Sequence, residues 1–450
     1  MKLLLACSLS LRYLGLNARK TVSNARKSLF GAIWGIGISI VPLVIVSVVA
    51  DGMIKGISSR MIELGTGHIQ ILDLRPPPQT KESAEARFNT ATALLDSIKE
   101  RQLPGITGMW VQQEGTGLLI GPKGRSGGKI RAIEPDYFTA NKAANQLLTL
   151  IDGSLSLTDP RSVLLGKKIA ELTGLKAGDT CTVLTVVPTY RDHKDMPRLT
   201  RLTVAGIISS GYQDLDALWI CMPLATGRTI LSPQASYTAL LVSTADAFKA
   251  ALVSQIARTI MPLLPAGFSL YTWKDLNRSQ FYSFETSKNL LLFIMFLILF
   301  VASINISSAM IMLIMERRKE IAILKTTGAH PFFITFSFLL AGLLTATAGL
   351  VIGLAASLPL ALHINELFLI VEYGINYIQA AWYYLLGNTG TPLPVHLLDP
   401  AYYLEHIPIS IPFDSLYAIA AGTLILSIIV CMIPAIQAGR EKPLDSMRKL

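Results

Sequence analysis

The sequence predicts an α-helical membrane protein with four transmembrane helices and a large α+β domain inserted between helices 1 and 2. Three observations predict it. The 450-residue chain is 51% hydrophobic and only 16% charged, a balance that soluble domains rarely show. Four stretches, 29–50, 289–315, 331–362 and 415–439, carry no charged residue, and each reaches the roughly 20 residues that a helix needs to cross a bilayer. The long interval 51–288, by contrast, shows the mixed strand and helix patterning of a folded soluble domain.

Segment 1–28 precedes the first span. Its Leu9, Leu11, Leu14 and Leu16 alternate with Arg12, Arg19 and Lys20, the pattern of an amphipathic segment lying on the inner membrane surface. Leu4, Leu5, Ala6 and Cys7 resemble a lipoprotein-processing box, but the apolar run before them is too short for a signal peptide. Lys2, Arg12, Arg19, Lys20, Arg26 and Lys27 flank span 1; Arg317, Arg318, Lys319 and Lys325 join spans 2 and 3; Arg440, Lys442, Arg448 and Lys449 follow span 4. Segment 363–414 carries Glu366, Glu372, Asp399, Glu405 and Asp414 and neither Lys nor Arg. Positive charge belongs on the cytoplasmic side. Both termini (1–28 and the tail 440–450) and the connector 316–330 are therefore expected inside, with 51–288 and 363–414 outside. The formal charge of +10 is thus a topology signal and calls for no nucleic-acid partner.

Within 51–288, residues 69–72, 162–165, 182–187, 202–208 and 218–220 read as strands, and 83–101 and 167–173 as helices. Gly178, Asp179 and Gly211 punctuate them. The glycine-rich stretch 121–128 is interrupted by Pro122 and reads as a hairpin or loop. Cys181 and Cys221 lie in apolar, strand-like runs, where they form a disulfide or remain as two buried thiols. In the spans, Gly31, Gly35, Gly37, Gly342, Gly349 and Gly353 permit close helix approach, within one subunit or across a dimer interface. Asn305 is the main polar exception in span 2, and a helix–helix hydrogen bond accounts for it.

Catalytic patterns are missing. The chain has no phosphate-binding loop of the Gly-x-x-x-x-Gly-Lys-Ser/Thr type, so it is not expected to hydrolyse nucleotide, and it shows neither a serine elbow nor a His-Glu-x-x-His helix. Its six histidines fall into no metal-ligand spacing, so no metal site is expected. The spans contain no Asp, Glu, Lys, Arg or His, which disfavours an ion-coupled pump built from this chain alone.

The connector MERRKEIAILKTTGAH (315–330) reads as a short helix with Ile321, Ile323 and Leu324 on an apolar side and Gly328 as its stop. A short rigid helix joining two spans transmits a push from a cytoplasmic partner. A plain charged turn would explain the arginines, but neither the apolar side nor the stop.

Taken in order, these pieces resemble the FtsX/MacB-type (type VII) ABC permeases, above all the lipoprotein-releasing permease subunits LolC and LolE. The resemblance runs from end to end. It is carried by LRYL at 11–14, VVADG at 48–52, KIRAIEP at 129–135, VLLG at 163–166, GLKAGD at 174–179 and VAGI at 204–207. INISS at 304–308, ERRKEIAILKTTGA at 316–329, LDPAY at 398–402 with Ile407 and Pro408, and Pro434, Ala438, Pro443, Met447 and Arg448 complete it. The segment 366–390, with Tyr373, Tyr377, Trp382, Tyr383 and Tyr384, departs from the pattern and has no role assigned by it.

The resemblance implies a multi-pass protein of the bacterial inner membrane, a non-catalytic permease with no cofactor of its own, whose separate ATPase subunit binds ATP and Mg. It implies that the ATPase receives Glu316, Arg317, Arg318, Lys319, Glu320, Leu324, Gly328 and Ala329. A second permease subunit is implied, as a homodimer or a LolC/LolE-like heterodimer. Its implied substrate is a lipoprotein, drawn from the membrane lipids into a cavity lined by spans 1 and 2. Pro42, Val46, Phe296 and Phe300 are the candidates here, with lipid or helix contact as the plainer alternative. Release is to a periplasmic chaperone, which in LolC binds a loop at the position of the hairpin that carries Pro188, Tyr190, Arg191, Pro197 and Arg198; the plainer reading is an exposed polar turn. A MacB-like efflux permease for peptides or drugs, an FtsX-like mechanotransmitter activating a cell-wall hydrolase, and a membrane-anchored enzyme are the other classes.

Overall fold

A computed structural model of the chain describes residues 24–78, 80–188, 195–385 and 407–440, with positions 395, 397 and 404. The amphipathic segment before Asn24, the tip of the hairpin with Tyr190 and Arg191, the motif 398–402 and the tail 441–450 lie outside the described residues. The described chain forms two compact units, one of membrane-length helices and one built on a sheet.

The helical unit holds the four apolar stretches in Asn24–Arg60, Arg278–Glu316, Pro331–Leu362 and Phe413–Arg440, here called the helices of spans 1 to 4. The first two, of 37 and 39 residues, measure about 55 Å at 1.5 Å per residue and outlast the hydrocarbon core. All four contribute to one apolar core that includes Ile36 and Ile40, Met310 and Leu313, Phe338 and Leu350, and Cys431 and Ala435. Spans 1 and 3 come together at glycines: a Cβ on Gly349 would lie 2.9 Å from the Ile33 carbonyl oxygen, and one on Gly353 would lie 3.0 Å from that of Gly37. At Gly342 the same test meets Cys431 Sγ at 2.7 Å and Met310 Cε at 3.1 Å. Gly37, Gly342, Gly349 and Gly353 therefore serve packing inside the subunit. Gly31 and Gly35 do not, since a Cβ on Gly31 meets nothing within 4 Å and one on Gly35 only Asn305 Nδ2 at 4.0 Å. Where the charge-free stretches of spans 1 and 2 end, Asp51 pairs with Lys288 at 3.7 Å and accepts a hydrogen bond from Ser410.

The second unit contains, among the described residues, β1 (Ile69–Asp73), β2 (Ile106–Ile120), β3 (Arg125–Ile133), β4 (Thr149–Gly153), β5 (Ser162–Gly166), β6 (Thr180–Pro188), β7 (Asp195–Ser209), β8 (Trp219–Pro223), β9 (Ser236–Thr244) and β10 (Phe268–Thr272). The strands and helices expected at 69–72, 83–101, 162–173, 182–187, 202–208 and 218–220 are all present. Of the glycine-rich stretch 121–128, residues 121–124 form the turn of the β2–β3 hairpin, with Ile120 opposite Arg125, and the rest opens β3.

Two lobes share β2. On one side β10, β1, β9 and β2 run antiparallel. They pack Ile69, Ile71, Met109, Val111, Leu240 and Val242 against helices Lys81–Glu100 and Ala250–Ile260. On the other, the pairings β2–β3–β8–β5–β7–β6 return to β2. The ring is closed, which removes the exposed edges of an open sheet. Leu119, Ile130, Val163, Val183, Val204 and Ile220 fill it. Cys181 belongs to this filling, whereas Cys221, one residue after Ile220 on β8, belongs to the core on the opposite face. Successive strand residues face opposite ways, so the two cysteines stand on different sides of the sheet. Both are free thiols, and burial pushes each up to about 11.

Arg131 is the fully buried basic residue of β3. Its guanidinium is 1% exposed and donates to the carbonyls of Leu64 and Gly65, in the π-helical turn Met61–Thr66 that follows the span 1 helix. It also donates to Gln112 Oε1 at 2.8 Å and pairs with Glu114 at 3.5 Å. The helix end leaves carbonyls without intrahelical partners, and a buried cation satisfies them where water cannot. Removing one member of a buried ion pair costs about 3–5 kcal/mol. Arg131→Met is therefore expected to destabilise the sheet unit by that amount in chemical denaturation of the full chain, whereas Arg125→Met on the exposed hairpin is expected to leave the midpoint unchanged.

Candidate functional site

The connector follows the span 2 helix after one non-helical residue, Arg317, and runs as the helix Arg318–Thr326. Its stop is built by Gly328, whose φ of +91° is a left-handed conformation that a side chain resists. There the Ala329 amide donates to the Leu324 carbonyl at 2.9 Å and the Gly328 amide to that of Lys325 at 3.1 Å, the paired bonds of a Schellman stop. His330 then caps span 3 by accepting from the Phe332 amide, with Pro331 at the first helical position.

The apolar residues of the connector divide. Ile321, 1% exposed, enters the four-span core, and Ala322 is buried beside it. Leu324 and Ala329 are half-buried. Ile323 points the other way, 63% exposed, because it lies about 200° around the helix from Ile321 at 100° per residue. A single apolar side made of Ile321, Ile323 and Leu324 is thus not what forms. Lys325 fastens the far end by donating to the Gly439 carbonyl at 2.7 Å, in the last turn of span 4. Around Ile323 the outward face carries Glu316, Lys319, Glu320 and Gly328, and Arg317 and Arg318 are half-buried. Arg317 pairs with Glu320 at 2.5 Å. The connector is a small, charged, apolar-centred platform fixed to three of the four spans.

On spans 1 and 2, Pro42, Val46, Phe296 and Phe300 are all exposed, and the two phenyl rings stack with centroids 6.4 Å apart. They do not line the pocket between these spans. That pocket, of about 270 Å³, is lined by Ser39, Leu297, Ile298, Val301, Ala302 and Asn305. The expected helix–helix hydrogen bond of Asn305 is not made among the described residues; its side chain is exposed on the span 2 surface, facing Gly35. Ser39 donates back to the Gly35 carbonyl at 2.8 Å. The signal that could have found this place was the pairing of glycine and serine on span 1 with the amide in the middle of span 2.

In the sheet unit, Pro188 pairs with Asp195, Val186 with Pro197 and Thr185 with Arg198 along the β6–β7 arm. Arg198 donates to the Thr229 carbonyl at 2.6 Å. Val186, Met196, Pro197 and Leu199 are exposed on the arm, which makes its surface more apolar than a solvated turn.

The connector geometry makes a sharp prediction. Gly328→Ala forces a side chain into the left-handed region at a cost of about 1–2 kcal/mol and loosens the stop, whereas Ile323→Asp leaves the fold intact and alters only the exposed platform. With the ATPase that the resemblance implies seated on the connector, nucleotide hydrolysis by the complex is expected to fall in both variants, with thermal stability lowered in Gly328→Ala alone. Wild-type hydrolysis in Ile323→Asp would remove the platform from the mechanism.

Comparison with known proteins accounts for both units. The family model of the FtsX-like permease C-terminal region matches residues 292–443, and that of the MacB-like periplasmic core domain matches residues 29–260, more than half of the chain. The chain is 23% identical over 446 residues to the lipoprotein-releasing system transmembrane protein LolC of Xylella fastidiosa (strain 9a5c), covering 99% of this chain and 98% of that one. To the lipoprotein-releasing system transmembrane protein LolE of Haemophilus influenzae it is 24% identical over 282 residues, covering 62% of this chain and 63% of that one. The crystal structure of the periplasmic region of MacB from Actinobacillus actinomycetemcomitans aligns at 12% identity with a TM-score of 0.28, over 48% of this chain and 92% of that one. With one family model covering span 1 and the sheet unit as far as residue 260, and the other the connector and spans 2 to 4, the chain belongs to the FtsX/MacB-type family of ABC transporter permeases.

Proposed function

We propose that this protein is the permease subunit of a transporter that draws lipoproteins out of the bacterial inner membrane and hands them to a periplasmic chaperone. A separate ATPase subunit, holding ATP and Mg, drives it by engaging the connector platform around Glu320, Ile323 and Leu324. Both termini and the connector lie in the cytoplasm, as the Lys and Arg asymmetry requires, and the sheet unit and segment 363–414 lie outside. A second permease subunit, another copy or a LolC/LolE-like partner, faces spans 1 and 2.

The observation that carries the proposal is the exposed, charge-free surface of spans 1 and 2. Phe30, Trp34, Ile38, Val46, Phe296 and Phe300 project outward from the four-span core. Each CH₂ of an acyl chain left in water costs about 0.8 kcal/mol, so a lipid-modified substrate needs a path lined only by such residues until a carrier takes it. Lipoprotein release is also what the names of the full-length relatives describe. The exposed apolar arm with Val186, Pro197 and Leu199 gives the chaperone a surface to meet. The polar pair Ser39 and Asn305 at the pocket favours one second reading, a MacB-like efflux permease for peptides or drugs.

Photo-crosslinking side chains placed at Val46 and Phe300 are expected to capture an acylated protein when ATP is withheld and to release it when ATP is added. Depletion of the protein is expected to leave mature lipoproteins in the inner membrane. Capture of a non-acylated peptide, with normal lipoprotein sorting, would put the efflux reading in its place.

A further inference from the structure

The helix Ile364–Leu385 begins one residue after span 3 ends and has no part in the function argued above. Its two faces are inverted relative to a helix on a water-facing surface. Asn365, Glu372, Asn376, Gln379 and Tyr383 follow one another at intervals of seven, four, three and four residues, which places them on one line along the helix. All five are half-buried, and Asn365, Glu372, Asn376 and Tyr383 each have an interaction partner within the protein. The opposite face is open and, beyond Glu366 in the first turn, apolar, with Ile370 70%, Tyr377 78%, Ile378 68% and Trp382 66% exposed. Leaving such side chains in water is unfavourable.

A bilayer crossing does not explain this helix. It carries Glu366, Glu372 and the amides of Asn365, Asn376 and Gln379, which the hydrocarbon core disfavours. A fifth crossing would also place the basic connector and the basic tail on opposite sides of the membrane, against the charge asymmetry. A helix that starts where a span leaves the hydrocarbon, and that turns its apolar face away from the protein, is suited to the boundary between headgroups and acyl chains. Tyr373, Tyr377 and Trp382 are the residue types that settle at that depth.

We propose that Ile364–Leu385 lies in the plane of the bilayer interface on the side where span 3 ends. The face with Ile370, Tyr377, Ile378 and Trp382 enters the lipid, and the line from Asn365 to Tyr383 rests on the protein. Because the helix has no Lys or Arg, its contact is with zwitterionic lipid through apolar burial and needs no anionic headgroup. This inference is independent of which substrate the transporter moves.

The test uses the full chain in nanodiscs of zwitterionic phosphatidylcholine, with nitroxide labels on Ile370→Cys and Ile378→Cys, each in a Cys7→Ser background. Relaxation by oxygen, which concentrates in lipid, is expected to exceed relaxation by a water-soluble nickel chelate severalfold at both positions. A nickel effect larger than the oxygen effect would place the face in water, and protection from both would place it against another protein chain; either result overturns the proposal. For the unlabelled protein, brominated phosphatidylcholine is expected to quench a component of tryptophan fluorescence that is present in wild type and absent in Trp382→Phe. No difference in quenching between the two would also overturn it.

Discussion

The helical unit depends on the contact of spans 1 and 3 through Gly37, Gly349 and Gly353. Lipid tails are as apolar as leucine, so no hydrophobic force draws membrane helices together, and close packing of backbones must hold the bundle. Once these glycines bring spans 1 and 3 together, Ile36, Ile40, Phe338 and Leu350 close the core with spans 2 and 4. Two consequences follow. The connector gains a buried seat for Ile321 and an anchor for Lys325 at the end of span 4. The outer faces of spans 1 and 2, with their bulky apolar side chains, remain uncovered within the subunit.

The same economy of charge governs the polar groups of the two units. In the membrane-length helices, hydroxyls are mostly satisfied by their own helix, as in Ser303 to the Leu299 carbonyl and Thr345 to the Ala341 carbonyl. In the sheet unit, buried charge is collected into networks instead. Arg131, Glu114 and Gln112 meet under the π-helical turn, and Asp73 holds both Arg75 and Arg87. Burial works against the Asp73 carboxylate, but the hydrogen bonds from Arg75 and Arg87 outweigh it and hold its pKa below the usual carboxylate value. Asn305 breaks the pattern, a polar side chain in a span with an open face.

The membrane spans were legible because absence of charge over about 20 residues has few other physical explanations. The strands with continuous β-branched and leucine runs, such as SVLLG in β5 and TCTVLTVV in β6, were legible for a similar reason. β2 was not. It runs through Gly108, Gly115 and Gly117 and buries Gln112 and Glu114, so its sequence looks like a polar loop until Arg131 is placed opposite it. The helix Ile364–Leu385 escaped because its polar stripe faces the protein, the reverse of the pattern that identifies a surface helix. At the connector, helical geometry alone separates Ile321 from Ile323, and residue spacing would have shown that one anchors while the other stays exposed. The glycines divided only once neighbouring helices were in place, since nothing in their spacing distinguishes Gly35 from Gly37.

Under the proposed function, hydrolysis in the partner ATPase must pass through the connector to the spans and move an acyl chain. The most direct test is reconstitution of the protein with its partner ATPase in proteoliposomes that carry a fluorescent triacylated protein. The account predicts that adding ATP moves the acylated protein to a soluble acyl-binding acceptor, and that replacing Ile323 with Asp abolishes the transfer without releasing the chain from the membrane. Steady hydrolysis with the acylated protein left in the bilayer would contradict it.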